Sequence, residues 1–105
     1  MREVEIKVAG TYFRQSAVNT LRGDEECKIV PEPTNQHDSN AHMVLAGGLQ
    51  IGYIPASDAA VLAPIWQGNP PEVTAMEIIP GKRGIVVYIT FEIPDGLDLP
   101  SLEGG

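Results

Sequence analysis

The run Glu32-Pro33-Thr34-Asn35-Gln36-His37-Asp38-Ser39-Asn40-Ala41, with Gly52-Tyr53-Ile54-Pro55 following it, holds the side chains best suited to chemistry. Asp38 is an acceptor and a fixed negative charge, and His37 and His42 carry ring nitrogens. As metal ligands they make a thin set, because nothing in the spacing turns a residue on the strand after the loop toward His37. Ser39 beside His37 reads as a coincidence of sequence, since a nucleophile and its base are assembled in space rather than along the chain, and a small hydrolase built on them ranks last among the readings. No G-x-S-x-G elbow, phosphate-cradling glycine loop or H-E-x-x-H pair occurs. The expectation is a protein with no catalytic residue, metal or cofactor.

The same loop has two binding-related readings, and residue types alone leave both open. In one, Asn35, Asp38 and Asn40 cap their own backbone in consecutive turns, as short polar side chains do. In the other, Asp38 and Asn35 join Tyr12, Phe13, His37 and Tyr53 around the mouth of a barrel. Flat rings there would stack on unpaired bases, worth about 1 to 3 kcal/mol per base with little sequence preference.

The elements that must position these groups are short. Val4, Ile6 and Val8 alternate with charged residues, the period of a half-buried strand that ends at Gly10, ahead of Tyr12-Phe13-Arg14. Ala17, Val18 and Leu21 predict a short helix over 16–21, capped by Ser16 and stopped by Gly23. Cys27 to Val30 predicts a strand interrupted at Pro31, which cannot donate a ladder hydrogen bond. Ala41–Ala46 and Leu49–Ile54 flank Gly47-Gly48 as a hairpin. Asp58 or its neighbours cap a helix from Ala59 to Trp66, with Pro64 in its last turn and Trp66 in the core. Val73–Ile79 and Gly84–Ile93 are strands around a Pro80–Arg83 turn. Met43 and Met76 read as filling for the interior, and of Tyr88 and Phe91, three apart, one faces the core. The sum is mainly β: a small, closed or nearly closed OB-like or SH3-like barrel of about six strands with two short helices. Residues 1–93 form the domain, and residues 94–105, rich in Gly, Pro, Asp and Glu, read as a flexible acidic tail.

A chain of 105 residues, 43 % hydrophobic, fits one domain. Its longest apolar stretch, Ala59 to Trp66, falls short of the roughly 20 residues of a bilayer span, and with no apolar signal region at Met1 the expected location is the cytoplasm. Cys27 is the single cysteine, so it reads as a small packed side chain. The net charge of −7 argues against binding through a large basic face. The excess is uneven, since four carboxylates and no Lys or Arg lie from Glu92 onward.

The pattern Gly10-x-Tyr12-Phe13, then Glu32-Pro33-x-Asn35-x-x-Asp38-x-Asn40-Ala41, then Gly52-Tyr53-x-Pro55 before an Ala-rich helix, resembles a HIRAN domain. That module stands at the front of fork-remodelling, helicase-like proteins of replication and DNA repair, and occurs alone in bacteria and phages. The resemblance implies an OB-like barrel that captures the 3' end of single-stranded DNA. Tyr12, Phe13, His37 and Tyr53 would then be stacking surfaces, Asp38 the acceptor for the 3'-hydroxyl, Asn35 a polar orienting group and Arg14 the main phosphate contact, with Lys82 and Arg83 as further candidates. It departs from the pattern where Thr11 and Pro55-Ala56 replace basic residues, His37 an aromatic and Tyr53 a histidine. A helicase or nuclease is the protein partner this implies. The alternative is a protein-binding module that keeps the barrel, has lost DNA and presents its acidic surface to a partner.

Overall fold

The computed structural model describes residues 1–103. Six strands form two antiparallel sheets of three, ordered β1-β6-β5 and β2-β3-β4. β1 (Arg2–Lys7) runs against β6 (Gly84–Ile93) in the register Val4↔Phe91 and Ile6↔Ile89, so its alternating apolar side chains meet those of β6 on the core face. β5 (Ala75–Gly81) makes a hairpin with β6 whose strands extend through Pro80 and Gly81, leaving only Lys82 and Arg83 in the turn. In the second sheet, β3 (His42–Ala46) and β4 (Leu49–Tyr53) form the expected hairpin. Gly47 and Gly48 supply its positive φ angles of 59° and 83°.

β2 (Cys27–Pro31) does not break before its proline. Gly47 N–H donates to the Glu26 carbonyl and Glu32 N–H to the Ala41 carbonyl, so the even-numbered residues face β3 and Pro31 faces away from it. The missing N–H of Pro31 therefore costs the ladder nothing.

The two sheets share one core, with Ile6, Val44, Ile51, Leu62, Ile89 and Phe91 fully buried. Trp66, at the end of α2 (Ala56–Trp66), packs edge-on to Phe91 at 5.8 Å. Met76 packs against this core; Met43 is only half-buried and lies outside it. Tyr88 is half-buried where Phe91 is buried.

The sheets do not close into a barrel. Their one strand-like joint among the described residues is an isolated bridge between Ala9 and Tyr53. On the far side, β2 faces the segment leading into β5, and Pro70 and Pro71 of that segment have no N–H with which to pair it.

Three further expectations are corrected. The first helix begins earlier, as a 3-10 turn over Thr11–Arg14 that runs into α1 (Gln15–Val18). Gly10, in the left-handed conformation at φ 78°, turns the chain there and accepts from Phe13 N–H at 3.0 Å. α2 starts at Ala56, which leaves Asp58 inside its first turn rather than before it. The acidic segment after Ile93 returns to the domain: Leu99 is 0 % exposed within the core. Arg2 donates to the Leu97 carbonyl at 2.7 Å and the Met1 ammonium pairs with Asp95 at 3.0 Å. In α3 (Pro100–Glu103), Ser101 gives its N–H to Asp58 Oδ1 at 2.9 Å and its hydroxyl to Oδ2. Gly104 and Gly105, the end of the expected tail, lie outside the described residues.

Candidate nucleic-acid interface

Gly52 makes the joint between the sheets. A Cβ there would run into the Ala9 carbonyl oxygen and stand 2.7 Å from Val8 Cγ1, so only glycine lets β4 come this close. Ala9 N–H then donates to the Tyr53 carbonyl at 2.8 Å and Tyr53 N–H to the Ala9 carbonyl at 2.9 Å. This pair divides one face of the molecule into two hollows that share Ala9 as a wall.

The first hollow, about 350 Å³, is lined by Asn35, His37, Asp38, Tyr53 and Ile54 among others. The loop beneath it is folded by its own side chains. Asn35 Oδ1 accepts from His37 N–H at 2.9 Å and Asp38 N–H at 3.0 Å, while its Nδ2 donates to Glu32 Oε1 at 2.6 Å. Asp38 Oδ1 accepts from Asn40 N–H at 2.9 Å. The capping is present, and Asn35 is largely occupied by it. Asp38 commits one oxygen to the loop, and Oδ2 accepts nothing among the described residues while the group stays half-buried at the cavity wall.

Glu32, in the sequence simply one member of the motif, organises the site. Its Oε1 also accepts from the Tyr53 hydroxyl at 2.9 Å, which fixes that ring at the cavity edge. The hydrogen bonds from Asn35 and Tyr53, with a smaller attraction from Arg14, hold its carboxyl below the ordinary value. A carboxylate three residues before an Asn is the one signal that could have pointed to it.

The second hollow is a groove of about 530 Å³ bordered by Lys7, Gly10–Tyr12, Gln15, Pro55, Arg83 and Ser101. Tyr12 is 62 % and Phe13 82 % exposed, and their rings meet edge-to-face at 5.3 Å. Together they form an apolar patch open to solvent beside the groove. Arg83 lines the groove and Lys82 does not; Lys7, read only as the solvent face of β1, does.

Gln15 ties the aromatic turn to the basic one. Its Nε2 donates to the carbonyls of Thr11 at 2.8 Å and Ile85 at 3.2 Å, and its Oε1 accepts from Ile85 N–H at 3.0 Å. Any Cβ on Gly84 would collide with this amide, coming 2.8 Å from Gln15 Cδ.

Other candidates fall away from the site. His42, 4 % exposed, points into the core, where Nδ1 lies 2.7 Å from the Asn40 carbonyl and the ring stands edge-on to Trp66 at 5.0 Å. It does not meet His37 in any metal-ligand grouping among the described residues. Burial pushes the Cys27 thiol up to about 11, so it stays protonated at neutral pH.

Exposed rings, two cations and a carboxylate with one oxygen unengaged are thus set along one face of the domain, on either side of Ala9. The matching family model is that of the HIRAN domain, over residues 1–94. The chain belongs to the HIRAN family, a family of DNA-binding rather than catalytic modules. No curated protein and no solved structure matches it. No helix among the described residues is long and apolar enough to cross a membrane.

Proposed function

We propose that this domain binds the 3' end of single-stranded DNA and performs no chemistry on it. The observation that carries the reading is the free Oδ2 of Asp38 in a cavity walled by His37 and Tyr53. A carboxylate accepts a hydrogen bond from a terminal hydroxyl and repels a terminal phosphate, so negative charge selects the kind of end. The terminal nucleoside occupies the hollow over the loop, and the preceding nucleotides pass Ala9 into the groove, over Tyr12 and Phe13 and toward Lys7 and Arg83. Asn35 holds the loop's shape. Arg14 reaches phosphate from the Glu32 side. With two or three phosphates neutralised, the log–log salt slope is about −2, shallow for a nucleic-acid binder.

The reading is consistent with a role beside a helicase or nuclease in repair or replication, in the cytoplasm. Fluorescence anisotropy with a 3'-hydroxyl oligonucleotide and its 3'-phosphate counterpart tests it. The 3'-hydroxyl form should bind at least about tenfold tighter, and equal binding would refute the end-recognition claim.

A further inference from the structure

A second open feature, away from the Ala9–Tyr53 face, is the seam between the sheets. β2 is an edge strand, and its odd-numbered residues turn their backbone away from β3. The N–H and C=O groups of Cys27 and Ile29 therefore point into the seam, and no backbone group among the described residues pairs with them there. A cavity of about 490 Å³ lies between Glu26–Ile29 and Pro70–Val73. It continues as a smaller one of about 240 Å³ between Gly23–Cys27 and Val73–Met76. Neither shares a lining residue with the hollows on the Ala9–Tyr53 face.

An unpaired edge beside a groove is a template for an added strand. Charge says which strand. Asp24, Glu25, Glu26 and Glu72 line the seam, against Lys28 alone among its lining residues. Lys28 is already paired with Glu26 at 3.0 Å. The N–H groups of Arg22 and Gly23 hold the Glu25 carboxyl below its ordinary value, with a smaller attraction from the Arg22 charge, which lies outside the seam's lining. Nucleic acid is repelled here, and a second copy of this chain would bring like charges together. We infer that the β2 edge receives an extended, basic segment of a partner protein, which pairs with Cys27 and Ile29 and sets Lys or Arg side chains against Glu26 and Glu72.

The inference stands apart from the DNA reading and fails separately from it. The test is amide NMR of the full chain titrated with a blocked seven-residue peptide alternating lysine and valine. Controls are the same peptide with glutamate for lysine, and one N-methylated at every residue. The basic peptide should shift the amides of Cys27 and Ile29 and slow their solvent exchange. The acidic and N-methylated peptides should not, and the double variant Glu26→Lys, Glu72→Lys should weaken binding about tenfold or more. Both substituted positions are exposed, so the variant's unchanged spectrum elsewhere reports that it folds. Oligonucleotide affinity measured alongside should not fall. Unmoved Cys27 and Ile29 amides, equal binding of the acidic peptide, or sedimentation showing β2 consumed by self-association would each overturn the proposal.

Discussion

Ala9 and Tyr53 exchange both backbone hydrogen bonds, at 2.8 and 2.9 Å, and among the described residues no other backbone pair joins the sheet of β1 to that of β4. Because Gly52 is what permits the approach, Gly52→Ala should force the strands apart. The expected cost is about 1 to 3 kcal/mol, read as a lowered urea midpoint at unchanged m-value. Weakened oligonucleotide binding should accompany it, since both hollows are built on this pair.

Gln15 holds the exposed rings in register with the Arg83 turn. Gln15→Ala removes three hydrogen bonds, and Gly84→Ala expels the same amide from the other side. Both variants should lose affinity for single-stranded DNA by about tenfold while keeping the native circular dichroism spectrum. Affinity unchanged in both would mean that the aromatic turn needs no such anchor.

Glu32 couples the site to pH. Its carboxyl titrates below the ordinary 4.5 because Asn35 and Tyr53 donate to the charged form, so the folded pKa is depressed. Its contribution to stability is therefore complete above about 4.5 and lost as pH falls through the lower, folded value. In Glu32→Gln that part of the acid dependence should vanish, and in Glu32→Ala, which removes the acceptor, Tyr53 should lose its fixed position, seen as ring-proton shifts already at neutral pH.

Leu99 makes the segment after Ile93 part of the fold. Leu99→Ala should cost about 2 to 5 kcal/mol, as for other buried leucines, measured by denaturant unfolding. No change would return this segment to the status of a free tail.

Much of this was readable in the chain. Gly47-Gly48 fixed the β3–β4 hairpin because a tight turn there needs positive φ at both residues, and the alternation of Val4 and Ile6 marked the buried face of β1. The loop from Glu32 to Ala41 and the rings of Tyr12, Phe13, His37 and Tyr53 were legible as residue types. The bridge at Ala9 that parts Tyr12 from His37 and Tyr53 was not, because a bridge between distant segments leaves no local period. Leu99 and Asp58 were missed for a related reason. One leucine among acidic and turn residues carries no pattern, and a helix-start Asp reads as a cap until a partner such as Ser101, far along the chain, is seen on it. Closure was over-predicted because strand count says nothing of whether the last two edges can pair, and Pro70-Pro71 cannot.

The central claim is that Asp38 recognises a strand's free end. Anisotropy titration of the wild type and Asp38→Ala with 3'-hydroxyl and 3'-phosphate oligonucleotides tests it directly. The wild type should prefer the hydroxyl form, and Asp38→Ala should bind both forms alike, by losing affinity for the first and gaining it for the second. A preference that survives in Asp38→Ala, or is absent from the wild type, would contradict the account.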